Sequence, residues 1–394
     1  MNIMPFIDLL LVLSSSTIQI QMHKKSKSTT RSVQLVTKFK RVLSISLVFL
    51  LFTLVVFSGV PITSGEATST KECRASYIPV SLNKLLPKNE KVYAELCLPK
   101  GQKPDTVLVL LHGITYDHHY WDLPGFNHKY SYVDAVTKKG YATLNVDRIG
   151  SGKSSHPLSA KVDIFSDAWV AHQLIQALRK GNIEGPKGKI AFQHVIEVGH
   201  SYGSGITWIE ASKYHDVDAV ILTGALRDIR YDTLIKKITP SLYPASLDPK
   251  FELLEQDVGY LTTRPGTRYK AFMAPADVDP EVIKLDEKLK STVTTTEMAD
   301  IPLIINKKRD IRVPILIVLG EFDTLFCNGV SDCSNAEIIK KRERPHFGPN
   351  VPSFDAFVLP EAGHDINFMK NASDWFNYSL KWLDKQKATF KQAK

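Results

Sequence analysis

A serine between closely spaced glycines, in Gly199-His-Ser-Tyr-Gly203, has the spacing of a catalytic nucleophile. The serine, Ser201, follows a predicted strand at 195–198 and precedes a segment whose apolar residues have helical spacing. A G-x-S-x-G turn between a strand and a helix holds its serine in a strained backbone conformation, and the glycines leave room for the tight bend. The start of the helix also presents backbone N–H groups that stabilise an oxyanion. Ser201 is therefore the candidate nucleophile.

A serine hydroxyl is a weak nucleophile at neutral pH and needs a neighbouring base. In chains with this turn the partners follow in the order Ser, acid, His. His364 lies in Gly363-His-Asp365, directly after a predicted strand at 356–359. This position in the expected order distinguishes it from the other eleven of the 12 histidines. We predict His364 as the base.

The base in turn needs a carboxylate that fixes its tautomer. Two candidates lie together in Gly320-Glu-Phe-Asp323, after a predicted strand at 315–319. Asp323 is preferred because it lies deeper in the loop beyond the strand, and Glu321 is the alternative. The predicted catalytic triad is thus Ser201, Asp323 and His364.

Two further glycine-containing segments follow predicted strands. His112-Gly-Ile114 follows the strand at 106–111, and a loop at this position contributes the second oxyanion N–H. We therefore predict that the backbone N–H groups of Ile114 and Tyr202 form an oxyanion hole. The run Asp147-Arg-Ile-Gly-Ser-Gly-Lys-Ser154 has too few residues for a phosphate-binding loop, so we interpret it as a structural turn.

Short apolar runs alternate with longer helical stretches between residues 75 and 390. This alternation is typical of a mostly parallel sheet with helices on both faces, which places the chain in the α/β class. Strands are predicted at 106–111, 142–146, 195–198, 217–222, 315–319 and 356–359. Helices are predicted at 130–139, 164–179, 202–213 and 374–385. Residues 225–305 interrupt the alternation and are too many for a plain connection, so we predict an inserted helical cap above the site.

Taken together, His112-Gly113, Asp147-Arg-Ile-Gly-Ser-Gly152, the serine turn, the acid loop and Gly363-His364 resemble the α/β-hydrolase superfamily. The resemblance covers residues 75–390 and is greatest to exported serine hydrolases of this superfamily. It implies an eight-stranded, mostly parallel sheet with a helical cap after the sixth strand. It also implies acyl-enzyme chemistry without a metal or an organic cofactor.

Within that superfamily a serine at the turn, rather than an aspartate, indicates cleavage of a carboxylic ester or a related acyl bond. The expected partner is a small or lipid-like acyl substrate. Two alternatives stay open at this point. One is carbon–carbon bond hydrolysis or acyl transfer on the same triad, and the other is a binding protein on a hydrolase scaffold that has lost activity. The intact set of Ser201, Asp323 and His364 argues against the second.

The N-terminal region has the composition of an export signal. A basic segment at 1–41 precedes the uncharged apolar run 42–60, and a linker at 61–74 leads to the domain. The run is close to the length that crosses a bilayer, so the chain is expected to be exported, either secreted or anchored in a membrane through 42–60. Met1 or Met22 could be the start. Residues 1–67 also hold five of the nine net positive charges. The sequence shows no clustered basic face with interleaved aromatics, so it does not indicate nucleic-acid binding.

All four cysteines follow the apolar run, which predicts disulfides in an oxidising compartment. Four cysteines allow three connectivities, and proximity in the chain favours Cys73 with Cys97 and Cys327 with Cys333. Four buried free thiols are the alternative. The spacing does not suit a zinc site, since no CxxC pair is present.

Overall fold

The computed structural model describes residues 70–227, 229, 231–254, 256–306, 309–327 and 332–390. Its centre is an eight-stranded sheet in the order β1-β2-β4-β3-β5-β6-β7-β8. The strands are β1 (Lys71–Val80), β2 (Glu90–Pro99), β3 (Thr106–Leu111), β4 (Ala142–Val146), β5 (His194–His200), β6 (Ala219–Thr223), β7 (Ile315–Gly320) and β8 (Phe354–Leu359). The order and the predominance of parallel pairs confirm the predicted α/β fold.

Strands β3 to β8 pair in parallel, and β3 to β7 are buried along their whole length. Continuous Val, Ile and Leu runs suit such strands because helices remove both faces of the sheet from water. The first two strands were not predicted. They pair antiparallel with each other, and β1 alternates exposed and half-buried residues at the edge of the sheet.

Helices cover the sheet on both sides, and each of the four predicted helices overlaps an observed one. Their bounds are α1 (Tyr132–Lys138), α2 (Ile164–Arg179), α3 (Tyr202–Tyr214), α4 (Pro280–Leu289), α5 (Thr295–Asn306), α6 (Ala336–Glu343) and α7 (Ala372–Phe390). Helix α2 begins where the Asp163 side chain accepts hydrogen bonds from the N–H groups of Phe165 and Ser166. Short 3₁₀ turns occur at His118–Tyr120, Phe126–His128, Ser159–Lys161, Arg344–His346 and Ile366–Phe368, and a small hairpin joins Glu184–Gly185 to Gly188–Lys189.

The insertion between β6 and β7 is folded, as predicted, but it is not purely helical. Besides α4 and α5 it contains short helical segments at Tyr231–Thr233, Leu234–Ile238, Thr239–Ser241, Ala245–Leu247 and Tyr269–Met273. It also contains a three-stranded antiparallel sheet of Leu242–Pro244, Tyr260–Thr263 and Val293–Thr294. Four residues such as Tyr260–Thr263 give too short a pattern to identify a strand from the sequence.

The four cysteines form the two pairs that chain proximity favours. Cys73 and Cys97 are directly opposite each other in β1 and β2, with their sulfurs 2.08 Å apart. The sulfurs of Cys327 and Cys333, just beyond β7, are 2.05 Å apart. Two disulfides are typical of a protein that folds outside the reducing cytoplasm.

The predicted basic segment 1–41, the apolar run 42–60 and most of the linker lie outside the described residues. Within the described part of the chain, no helix combines the length and the apolar character needed to cross a bilayer. Strand β1 begins at Lys71, inside the segment 61–74 that the sequence assigned to the linker.

Two carboxyl groups, those of Glu197 in β5 and Glu210 in α3, interact with each other in the core and are fully buried. Burial disfavours the charged form and, together with the negative charge of Asp216, raises the pKa of Glu197 to about 8. Burial and the charge of Glu197 also raise the pKa of Glu210. The pair joins the strand and the helix on either side of Ser201, so its protonation bears on the stability of that connection.

We predict that the free energy of unfolding falls between about pH 5 and pH 8. A carboxyl whose pKa is raised by folding stabilises fully below its unfolded value near 4.5, and this contribution is lost as the pH rises toward 8. The loss is about 1.4 kcal/mol per pH unit for one such group. A glutamine at this position cannot ionise. In Glu197→Gln the free energy of unfolding, measured with urea, should therefore differ less between pH 5 and pH 8 than it does in the wild type. The exposed control Glu252→Gln should keep the wild-type difference between the two pH values. An unchanged difference in Glu197→Gln would contradict the raised pKa of Glu197.

Candidate active site

Ser201 lies at the sharp turn between β5 and α3. Its backbone has φ 54° and ψ −116°, a region that non-glycine residues rarely adopt, and its N–H donates to the carbonyl oxygen of Thr223 at 2.8 Å. A Cβ added to Gly199 would lie 2.4 Å from the oxygen of Gly203, and one added to Gly203 would lie 2.3 Å from the oxygen of Leu111. Only glycine fits at either position, which explains the spacing around the serine.

The predicted acid and base are hydrogen-bonded. His364 Nδ1 lies 2.8 Å from Asp323 Oδ2, and both side chains are buried. The other carboxylate oxygen of Asp323 accepts the N–H of Leu325 at 3.0 Å, which fixes the orientation of the carboxylate. Glu321 is turned elsewhere, since its Oε2 accepts the N–H of Glu361 at 2.9 Å. The geometry therefore favours Asp323 over Glu321 as the partner of the histidine.

The environment of His364 sets its basicity through two opposing effects. Burial disfavours the charged imidazolium, but the charge of Asp323 and its hydrogen bond outweigh burial and raise the pKa of His364 above its usual value. The ring of Phe326 stacks on the imidazole with centroids 5.9 Å apart, and the backbone N–H of His364 donates to Phe272 at 2.9 Å. The ring is thus held in one orientation, with Nδ1 toward the carboxylate.

The loops bearing His364 and Ser201 meet at the carboxyl end of β6. Ser201 bonds to Thr223, and the next residue, Gly224, lies against the histidine: a Cβ added there would be 3.1 Å from His364 Cε1. The structure thus brings Ser201, His364 and Asp323 to one edge of the sheet. Such an arrangement can transfer the hydroxyl proton of a serine to an imidazole.

The loop after β3 passes directly beside the serine. A Cβ added to Gly113 would lie 3.2 Å from Ser201 Cβ. Ile114 is buried, and no group in the described part of the chain accepts a hydrogen bond from its N–H. Since buried N–H groups are almost always paired, this donor is available to a ligand. It lies beside the N-terminus of α3, where Tyr202 was predicted to supply the second donor.

An apolar cavity opens on Ser201 and Ile114. Its walls come from α3, from the cap and from the loop after Asp323. The lining residues are Ile114, Ser201, Tyr202, Gly205, Trp208, Ala225, Leu226, Ile229, Leu234, Ile238, Phe272, Ile301, Ile304, Leu325 and Phe326. With almost no polar side chain besides the serine, the cavity suits a hydrocarbon group.

Sequence reasoning missed a second layer of polar residues behind the histidine. Asp365 accepts a hydrogen bond from the hydroxyl of Tyr116, and its Oδ1 lies 3.3 Å from His200 Nε2. Burial and the neighbouring His364 hold the pKa of His200 well below its usual value, which favours the neutral ring. Both residues adjoin recognised ones in the chain, Asp365 after His364 and His200 before Ser201, and adjacency was the only available signal.

Three groups of histidine and acid side chains in the described residues are close enough to share a metal ion: Asp117, His118 and His119; His200, His364 and Asp365; His172, Glu210 and Asp216. In the first two groups ring nitrogens are already bonded to carboxylates of the protein. His118 Nδ1 lies 2.7 Å from Asp147, and His364 Nδ1 is bonded to Asp323. We assign no metal-binding role to the histidine of the triad.

Comparison with known proteins identifies the family of the chain. A family model described as "Alpha/beta hydrolase family" matches residues 108–377, well over half of the chain. The chain therefore belongs to the α/β-hydrolase family, which confirms the resemblance seen in the sequence.

Two solved structures illustrate the shared fold. One is a soluble variant of monoglyceride lipase from Saccharomyces cerevisiae in complex with a substrate analog. The two sequences are 17% identical, the match covers 79% of this chain and 95% of that chain, and the TM-score is 0.54. The other is an esterase from Exiguobacterium antarcticum, with 17% identity, 79% and 100% covered, and a TM-score of 0.52. A search of curated proteins finds no match. Similarity at this identity shows the fold alone.

The two acidic residues of the loop after β7 should differ sharply on mutation. We predict that Asp323→Asn lowers kcat by about 10⁴-fold, because the amide no longer holds His364 in the reactive tautomer. Glu321→Gln should change kcat by less than about threefold, since within the described residues its carboxylate bonds to a backbone N–H at 2.9 Å and not to His364. Steady-state kinetics on a p-nitrophenyl ester, with circular dichroism as the folding control, measures both. A larger loss in Glu321→Gln would transfer the role to Glu321.

Proposed function

We propose that the protein is a serine hydrolase that cleaves carboxylic esters through an acyl-enzyme intermediate. The observation that carries this proposal is the 2.8 Å contact between His364 and Asp323 at the same sheet edge as the strained Ser201. A buried aspartate that orients a histidine beside such a serine has the arrangement that activates a hydroxyl for acyl transfer.

The reaction follows from these positions. Ser201 Oγ attacks the ester carbonyl carbon while His364 Nε2 takes the hydroxyl proton, and Asp323 stabilises the resulting imidazolium. The oxyanion of the tetrahedral intermediate is bound by the backbone N–H groups of Ile114 and Tyr202. Collapse breaks the bond to the alcohol oxygen, which leaves with the proton from His364. A water molecule activated by His364 then releases the acid in the same way.

The apolar cavity beside Ser201 supports an ester with a hydrocarbon group as the substrate. Its side chains are aliphatic or aromatic, and burial of each methylene of a ligand there contributes about 0.8 kcal/mol. A small or lipid-like acyl ester is the substrate class that this surface fits. No metal or organic cofactor is needed, because the serine, the imidazole and the N–H donors supply every step.

We further propose that the enzyme acts outside the cytoplasm, either secreted or anchored in a membrane through residues 42–60. The two disulfides support an oxidising compartment, and the basic and apolar composition of residues 1–60 supports export.

Replacement of the nucleophile tests the proposal. Ser201→Ala should lower kcat on p-nitrophenyl esters by roughly 10⁴- to 10⁶-fold and abolish labelling by a fluorophosphonate, while the circular dichroism spectrum stays native. Ser212→Ala, at the other end of helix α3, is the matched control and should keep wild-type activity. If wild-type protein takes up no fluorophosphonate and hydrolyses no ester, the fold serves as a binding scaffold. Acyl transfer to an added alcohol in preference to water would instead identify a transferase.

A further inference from the structure

The loop that carries the N–H of Ile114 is held in a conformation that it would not adopt unaided. Thr115, the next residue, has φ 57°, the left-handed region that β-branched residues avoid. Such a conformation is unfavourable and persists only where its surroundings enforce it. Two buried arginines, Arg148 and Arg268, contact this loop from opposite ends, and the reaction steps above use neither.

Arg148, in the turn after β4, contacts the start of the loop. Its Nε donates to the carbonyl oxygen of His112 at 3.1 Å and its Nη2 to that of Gly113 at 3.4 Å. His112 Nδ1 lies 2.8 Å from the same Gly113 oxygen. The guanidinium also lies over the ring of Tyr202, 5.0 Å from its centroid. Arg148 therefore contacts the side chain of Tyr202 and the peptide that bears the Ile114 N–H. These are the two residues whose N–H groups are proposed to bind the oxyanion.

Arg268, from the cap, contacts the other end of the loop. Its Nη1 donates to the carbonyl oxygen of Thr115 at 3.2 Å and to Thr115 Oγ1 at 3.0 Å. A two-pronged ion pair with Asp286, at 2.7 and 2.9 Å, fixes the guanidinium, which also stacks 4.2 Å from the ring centroid of Tyr116. The N–H of Ser291, another cap residue, donates to the same Thr115 oxygen at 2.8 Å.

We propose that Arg148 and Arg268 are positioning residues of the oxyanion hole, which hold the peptide carbonyls of Gly113 and Thr115 on either side of Ile114 so that its N–H faces the reacting carbonyl. The inference rests on the proposed function and deepens it.

The peptide between Gly113 and Ile114 connects the contacts of Arg148 to the direction of the Ile114 N–H. In a trans peptide the C=O and the N–H point in opposite directions, so fixing the oxygen of Gly113 fixes the direction of the Ile114 N–H. Donation to that oxygen by a cation and by an imidazole also polarises the amide and strengthens its N–H as a donor. The hydrogen bonds from Arg268 keep Thr115 at positive φ. Without them the loop that bears the Ile114 N–H would be free to rotate.

This arrangement makes the cap part of the catalytic machinery. Arg268 and Ser291 belong to the cap, and Arg148 forms a buried ion pair with Glu297 of α5 at 2.5 Å. The same helix contributes Ile301 and Ile304 to the cavity wall. Through Glu297 and Arg148, the helix that lines the cavity is connected to the loop that bears the Ile114 N–H.

The test uses Arg148→Lys and Arg268→Lys, which keep the positive charge but lose the planar fork. The control is Arg179→Lys: Arg179 also donates to backbone carbonyls, those of Asp216 and Gln193, and to a carboxylate, but lies outside the loop. Each variant is assayed for kcat and KM on a p-nitrophenyl ester and for the Ki of a trifluoromethyl ketone, whose adduct with a serine carries an oxyanion. Hydrogen–deuterium exchange of the peptide spanning 112–116 is measured in parallel.

We expect kcat to fall about 10- to 100-fold in each loop variant and Ki to rise by the same factor, with KM within twofold, because a misdirected donor weakens only oxyanion binding. Exchange in 112–116 should accelerate, and Arg179→Lys should change none of these. Thr115→Val, which removes only the Oγ1 acceptor and keeps the side-chain volume, should show the same pattern at smaller size and serves if a lysine variant does not fold.

The outcomes separate this inference from the proposed function. If wild-type protein neither hydrolyses an ester nor binds the ketone through Ser201, the proposed function fails, whereas exchange in 112–116 still reports whether the arginines hold the loop. Variants that fold and keep both kcat and the exchange rate within twofold of wild type would overturn the inference. A change confined to the melting temperature would overturn it equally, since that is the signature of a purely structural role.

Discussion

The backbone of Ser201, held at φ 54°, is the constraint on which the rest of the site depends. A non-glycine residue in this region costs about 1–3 kcal/mol, and the surrounding contacts keep it there. Gly199 and Gly203 let the strand and the helix approach without a clash, and the carbonyl of Thr223 receives the serine N–H. This turn places the side chain of Ser201 at the edge of the sheet, beside the loop that bears His364.

The parallel sheet explains why separate parts of the chain meet at this point. Strands β5, β6, β7 and β8 end at one edge, so the loops that follow them lie together although they are far apart in sequence. Burial of His364 and Asp323 then makes their interaction stronger than it would be in water, and the charge of Asp323 offsets the cost of a buried imidazolium. The candidate site combines a serine in a strained turn with a histidine whose charged form is supported by a buried aspartate.

The sequence was informative where chemistry depends on local pattern. Short-range signatures mark the turn around Ser201, the loops bearing Asp323 and His364, and the apolar runs of the parallel strands. The fold confirmed that these runs form strands. The contacts that Arg148 and Arg268 make with the loop after β3 have no such signature. Arg148 lies in a turn whose glycines indicated only structure, and Arg268 reaches Thr115 across 153 positions. Strand β1 was missed because its alternating, half-exposed residues lack an apolar run.

The proposed reaction requires Ser201 to carry the acyl group between its two halves. Acid quenching during turnover of a p-nitrophenyl ester, followed by proteolysis and mass spectrometry, measures this directly. We expect a mass increase equal to the acyl group on the peptide that contains Ser201, formed within the initial burst and lost as the ester is exhausted. Rapid ester hydrolysis with the acyl group on a different residue, or retained on the Ser201 peptide too long to support turnover, would contradict it.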